Sequence, residues 1–277
     1  MSELDLNRAT ARADTGAGPV LSVSHLKKSY ETRRGTTEAV GDLTFDIAQG
    51  EFVCIVGSSG CGKTTLLKCM CGLLPASSGS VAISGRRVTE PPREMALVFQ
   101  EYGRSLFPWL TVRKNIGFAL KSGSNGREHT RALVHEAMGA VGLSNFGDHF
   151  PWQLSGGMQQ RVAIARALAY QPKILLMDEP FASVDAQTRA DLEDLILRVQ
   201  NQFGITVVFV THDIDESVYL ADRVIALTHA PTSVKETLVI DLPAERDQVT
   251  TKALPRFAEL RSHVYETIRG RAHPPVD

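Results

Sequence analysis

Short apolar runs alternate with longer amphipathic stretches along most of this chain. Continuous runs occur at 52–56 (Phe52-Val53-Cys54-Ile55-Val56), 174–177 and 205–210, each of strand length and bounded by turn residues. Runs apolar at every position suit strands buried on both faces of a parallel sheet. Apolar residues recur at helical spacing over 156–170, 188–202 and 214–221, and 223–227 reads as a further strand. This alternation predicts an α/β fold with a mostly parallel sheet core. Nearer the N-terminus, 21–26 and 39–47 alternate apolar with polar residues at period two, with a turn-like stretch through Arg33-Arg34-Gly35 between them. With short strands at 80–83 and 95–99, that region predicts antiparallel β structure preceding the parallel core.

The rhythm breaks between Gln100 and Trp152, where helical patterns at 111–120 and 130–141 flank a Gly/Ser-rich loop, Ser122-Gly123-Ser124-Asn125-Gly126. We read about 101–160 as a helical subdomain inserted in the α/β core. Residues 1–20 lack periodicity and read as a disordered lead, so the main domain runs 21–229. The remainder, 230–277, offers a strand at 237–240 and a helix with Leu254, Phe257, Leu260, Val264 and Ile268 on one face. It reads as an appendage.

Composition sets limits on this picture. A 43% hydrophobic chain of 277 residues can bury a large core, and its net charge of −1 gives no basic footprint for nucleic acid. No apolar run is long enough to span a bilayer, so membrane association must come through a partner. The four cysteines, Cys54, Cys61, Cys69 and Cys71, form no Cys-x-x-Cys pair and read as buried thiols. Cys61 lies within a glycine-rich loop, where alkylation is expected to block ligand binding.

That loop carries the chemistry. Gly57-Ser58-Ser59-Gly60-Cys61-Gly62-Lys63-Thr64-Thr65 lies between a buried strand pattern and a helical one, the context a P-loop requires. Its glycines let successive N–H groups converge on phosphate oxygens at a helix N-terminus. Lys63 would reach the β and γ phosphates and the Thr64 hydroxyl would sit on Mg²⁺. The fold class is therefore that of a P-loop NTPase, binding a nucleoside triphosphate with Mg²⁺.

Three further motifs extend this reading. Ile174-Leu175-Leu176-Met177-Asp178-Glu179 is an apolar strand ending in two acids at the ligand-facing end of a parallel sheet. Asp178 suits Mg²⁺ or its water, and Glu179 suits the water attacking the γ-phosphate. Leu154-Ser155-Gly156-Gly157-Met158-Gln159-Gln160 opens a helix with a hydroxyl and glycine amides, a second phosphate receptor in the same chain. One ATP could use both receptors only if they came from different copies. His212, between Thr211 and Asp213 after the run ending at Val210, suits a γ-phosphate sensor.

In this order the motifs resemble the ATP-binding subunit of ABC transporters, over roughly residues 20–227. By that resemblance Gly57 to Thr64 is Walker A, Ser155, Gly156 and Gly157 form the signature, and Asp178 and Glu179 close Walker B. Gln100 is the Q-loop glutamine, assigned to Mg²⁺ and catalysis, and Lys63, Glu179 and His212 complete the catalytic set. Tyr30 matches the aromatic that stacks on adenine, and Asp185 in Ser183-Val184-Asp185 lies in the D-loop. Met158 stands where the family often has Gln. The resemblance further implies a head-to-tail dimer and transmembrane permease subunits, with a solute-binding protein as indirect partner. Its location would be the cytoplasmic face of the bacterial inner membrane.

Phe107-Pro108-Trp109-Leu110-Thr111-Val112, the segment from Thr211 to Ser217 and the segment from Asp241 to Asp247 resemble the nitrate, sulfonate, taurine and bicarbonate importer branch. Leu106 to Leu110 fits either the core of the helical insert or a groove for a permease helix. Two other classes stay open at this point. One is a non-transport ABC ATPase acting on DNA or ribosomes, against which the charge speaks. The other is a P-loop kinase or GTPase, which would lack the Ser155-Gly156-Gly157 and His212 motifs.

Overall fold

A computed structural model describes residues 18–32, 35–120 and 126–269. Most of the lead expected at 1–20, Arg33 and Arg34 of the turn-like stretch, Ser122 to Asn125 and the last eight residues lie outside the described residues. The chain divides into two compact units, one of residues 1–92 with 206–277 and one of residues 93–205.

In the first unit, β1 (Leu21–Thr32) pairs antiparallel with β2 (Gly35–Ile47) and with β4 (Ser78–Ile83), and β5 (Arg86–Arg87) pairs with β4. Both β1 and β2 run further than the alternation predicts. Their outer halves pair through Tyr30↔Thr37 and Thr32↔Gly35, where Thr36, Thr37 and Glu38 are exposed. A hairpin solvated on both faces carries no apolar alternation, so backbone pairing alone defines it.

The same unit holds β3 (Phe52–Val56), parallel to β8 (Thr206–Thr211) on one side and to β9 (Arg223–Leu227) on the other. Every residue of β3 and β8 is buried, as their continuous apolar runs require. Asp222 fixes the register at the strand starts: its carboxylate accepts from Phe52 N and its own N–H donates to Phe52 O. Arg223 forks onto Glu51 at 2.6 and 2.9 Å and also donates to Asp46 O. Helix α1 (Lys63–Met70) follows β3.

β10 (Val234–Val239) lies antiparallel on β9, starting three residues before the predicted strand. Its inward position 236 is a glutamate, which hid the alternation. Glu236 accepts from Thr267 Oγ1 at 2.7 Å and lies 2.6 Å from His263 Nε2, both in the helix over Pro255–Arg269. These bonds overcome burial and hold the Glu236 carboxyl below its usual range. That C-terminal helix buries Phe257, Leu260 and Val264, as its spacing predicts.

In the second unit, β6 (Met95–Val98) and β7 (Ile174–Asp178) pair in parallel. Around them lie α2 (Tyr102–Ser105), α3 (Val112–Phe118), α4 (Arg127–Ala140), α5 (Gly156–Ala169) and α6 (Ala186–Phe203). Helix α5 is the hub, packing on each of the other four helices and on β6. Val162 through Ala165 and Ala167 through Ala169 are all buried, so the second half of α5 is covered around most of its circumference, with alanines admitting close neighbours. Back in the first unit, α7 (Ile214–Leu220) and α8 (Pro255–Arg269) pack together. Among the described residues no helix is long and apolar enough to cross a membrane.

Candidate functional site

The glycine loop turns directly off the buried end of β3, and its conformation depends on two glycines. Gly62 adopts φ +109°, and a side chain there would meet Ala39 O at 2.7 Å and Thr232 Oγ1 at 3.0 Å. Gly60, at φ +76°, faces open space, so it is the tip of the loop. α1 starts at Gly62 with no side-chain cap. Lys63 is buried and lays its Nζ across the loop, donating to Gly57 O at 2.9 Å and Ser58 O at 3.1 Å. The ammonium is thereby aimed along the loop's concave backbone, where phosphate oxygens would bring further acceptors. Ser59 and Thr64 are exposed beside it, and Thr65 is half-buried.

Cys61 departs from expectation. Its thiol is 2% exposed and turns under Gly57, where an added Cβ would stand 2.9 Å from its Sγ. A reagent would have to open the loop to reach it. All four cysteines are buried, and burial pushes Cys69 up to about 11 and raises Cys71, so both are protonated thiols.

Two other predicted residues belong to the same unit. Tyr30 lies on β1, 39% exposed, with Lys28 Nζ 5.2 Å from its ring centre. His212 is exposed just past β8, on a bend tied by its neighbours. Thr211 Oγ1 donates to Glu216 at 2.6 Å and accepts from Asp213 N at 2.9 Å, while Asp213 caps α7 through Glu216 N. Glu216 is 95% buried, and the sequence reading gave it no role of its own beyond membership of the segment from Thr211 to Ser217. Its signal was available, since Asp213 followed three residues later by Glu is a helix-start pattern.

The second unit carries the remaining predicted residues. Gln100 is exposed two residues past β6. Asp178 is the buried last residue of β7, and the next residue, Glu179, adopts φ +42°. A left-handed glutamate costs backbone energy and re-aims the carboxyl away from the strand direction, a feature that clusters at functional positions. Ser155 caps α5, its Oγ accepting from Met158 N at 3.3 Å. Ser155 and Gly156 are exposed, whereas Gly157 is buried. A Cβ on Gly157 would stand 2.4 Å from Thr188 Cγ2, so this glycine is also what lets α5 and α6 meet.

The hydroxyl of Thr188 looks the other way. It donates to Asp185 Oδ2 at 2.7 Å while its backbone N–H donates to Oδ1 at 3.0 Å. Those bonds, the backbone one first, hold the Asp185 carboxyl below its ordinary range. Thr188 therefore bridges the start of α5 and Asp185, a role its sequence position did not announce.

An aromatic surface occupies the same unit. Leu106 is buried, but Trp109 is 70% exposed, with Phe107 between it and Phe118 at ring separations of 5.6 and 4.5 Å. Asn115, wholly buried, pins this loop by donating to the carbonyls of Phe107, Leu110 and Thr111 and accepting from Phe107 N. The segment thus divides between core and surface. Arg166 on α5 anchors the preceding turn by donating to Ser105 O and Oγ. Among the described residues no cluster of three or more His, Cys, Asp or Glu could hold a metal.

Comparison with known proteins joins these features. The ABC transporter family profile matches residues 40–182, from β2 through the Walker B acids. Nitrate import ATP-binding protein NrtC of Synechococcus elongatus is 42% identical over 248 residues, covering 88% of this chain and 37% of that protein. The bicarbonate transport ATP-binding protein CmpC of the same organism gives the same identity and coverages. The chain thus spans about a third of those two relatives. It spans 96% of NrtD, a nitrate import ATP-binding protein of Synechocystis sp., at 38% identity over 91% of its own length. Among solved structures, cbiO1 of Clostridium perfringens, part of the ABC transporter complex cbiONQ, superposes with a TM-score of 0.72. It is 28% identical, covering 79% of this chain and 88% of that one. The dimeric ATP-binding cassette MJ0796 bound to ADP and Pi superposes at 0.70 with 32% identity, over 79% and 98%. The phosphate loop, the antiparallel and mostly parallel sheets and this profile together show that the chain belongs to the ABC transporter family, as an ATP-binding, ATP-hydrolysing subunit.

Proposed function

We propose that this chain energises an importer for small oxyanions of the nitrate, bicarbonate, sulfonate or taurine type. The observation that carries the reading is the near full-length similarity to NrtD, at 38% identity. In this reading Lys63 and the loop amides of Gly57 through Thr65 bind the phosphates of ATP, and Tyr30 stacks on the adenine. Thr64 in the first unit carries a hydroxyl, and Gln100 and Asp178 in the second carry an amide and a carboxylate, each a hard oxygen of the kind Mg²⁺ takes. When bound, the ion would screen the charge shared by the β and γ phosphates. Glu179 accepts a proton from the attacking water, and His212 contacts the γ-phosphate side.

Ser155 to Gly157 of one copy then serve the ATP held by a second copy, with Asp185 at the same junction. ATP bridges the closed dimer and hydrolysis releases it, because ATP and ADP differ in affinity for the closed state. The surface of exposed Trp109 and Phe118 around half-buried Phe107 receives a permease segment, since an exposed aromatic patch marks an interface. The chain would act at the cytoplasmic face of the membrane through that permease, with no nucleic-acid partner.

The test is detergent co-purification of the tagged chain from its native membranes, followed by ligand screening of any co-encoded binding protein. A multi-span permease and a binding protein specific for nitrate, bicarbonate or a sulfonate support the reading. A binding protein for an amino acid or polyamine overturns the solute class. Recovery of ribosomal or DNA-associated proteins without a permease overturns transport.

A further inference from the structure

The β9–β10 loop follows the cassette's last parallel strand and lies outside the residues the family profile matches. In the first unit this stretch approaches the phosphate loop at its entry and at its exit. At the loop's entry, a Cβ on Gly57 would stand 3.3 Å from Leu227 Cβ, the last residue of β9. One residue on, Ser58 Oγ lies 2.9 Å from His229 Nδ1, a contact between positions 171 apart in sequence. At the loop's exit, Gly62 is closed in by Ala39 O and Thr232 Oγ1.

Thr232 is itself firmly held. It is wholly buried, its Oγ1 donates to Ala39 O at 3.1 Å, and its carbonyl accepts from Gly41 N at 2.8 Å. The two ends of the loop are tied to each other as well. Thr228 N donates to Ser233 O at 3.0 Å, and Ser233 N donates to Thr228 Oγ1 at 2.9 Å. His229 thus stands on a braced platform, exposed to solvent, with its ring on a phosphate-loop side chain.

We propose that His229 is a positioning residue for the phosphate loop and sets ATP affinity by pre-ordering it. The inference rests on this loop binding ATP. A loop with glycines at 57, 60 and 62 loses much conformational freedom when it closes on phosphate. Each tie made in advance lowers that loss and appears as tighter binding. Ser58 is the outer edge of the loop, beyond the Lys63 contacts to Gly57 O and Ser58 O, and its side chain is anchored by His229. Nothing in this role requires the imidazole to touch the reacting atoms.

The test is titration of the purified full-length chain with a fluorescent ATP analogue, alongside steady-state phosphate release. His229→Ala should weaken ATP binding roughly threefold to tenfold, the worth of one hydrogen bond, with KM rising in step and kcat falling much less. His229→Asn, whose amide can occupy the position of Nδ1, should restore affinity, whereas His229→Gln, which mimics Nε2, should not. Ser58→Ala should match His229→Ala, and the double variant should be no worse than either alone. Wild-type affinity or tighter binding in His229→Ala overturns the proposal, as do additive effects of the two substitutions. Equal failure of the Asn and Gln variants would also overturn it. Lys63→Ala serves as the separate check on the underlying reading: retained full affinity there would dismiss the ATP site itself.

Discussion

Two helices in this molecule begin at glycine-rich motifs, and they are built in opposite ways. α1 starts at Gly62 in a left-handed conformation with no side-chain cap, and its first residue sends a lysine back over the loop. α5 starts at Ser155 in an extended conformation with the serine hydroxyl bonded to Met158 N. The glycines differ correspondingly. Gly62 is needed for its φ and because Ala39 O on β2 leaves no room for a Cβ, whereas Gly157, in an ordinary helical conformation, is needed because Thr188 leaves none. The first receptor is shaped by backbone conformation together with its seat against β2, and the second by helix packing alone. Strain in the second passes to α6 and Asp185.

Substitutions can separate the two designs. The largest effect belongs to Glu179→Gln, expected to cut phosphate release by roughly 10²-fold or more through loss of the base, while ATP traps a dimer visible by light scattering. A variant that remains monomeric with ATP would contradict dimer closure. Next, Gly157→Ala should cost about 1–3 kcal/mol of stability, because the new methyl overpacks against Thr188, read from denaturant unfolding. Gly62→Ala should cost at least about 1–2 kcal/mol from the left-handed backbone, with the clash against Ala39 O adding to it and ATP affinity lost more severely than stability.

Thr188→Val keeps the methyl against Gly157 but removes the hydroxyl from Asp185. Asp185's carboxyl is held low when folded, so its bonds stabilise above the ordinary carboxylate pKa and fade as pH falls through the lowered value. The variant should therefore lose a small share of stability at neutral pH and show a shallower acid limb in a pH series of melting curves. The smallest effect concerns the thiols. Native protein should leave all four cysteines unreacted with a thiol reagent near neutral pH and expose them on unfolding.

Much of this was legible in the linear chain. The buried strands at β3, β7 and β8 were readable because a strand covered on both faces carries a near-continuous apolar run. The helix at Pro255–Arg269 announced its buried face through Phe257, Leu260 and Val264. The outer halves of β1 and β2 were not readable, because their solvated pairing leaves no hydrophobic trace. β10 was misjudged at its start because Glu236 occupies an inward position that a hydrophobe would normally mark. Cys61 was expected to be reachable, and only the folded loop shows its thiol turned under Gly57.

Sequence by itself determined the phosphate loop and the Walker B strand, because strand, loop and helix are contiguous there and their chemistry depends on spacing along a short peptide. Tertiary structure alone decided what stands behind each motif: His229 on Ser58, Thr232 at Gly62, Thr188 on Gly157, and Asn115 under the Trp109 loop. These partners meet because packed strands and helices bring side chains together at separations no local pattern encodes. A polar residue's role then follows from which neighbour the fold delivers to it.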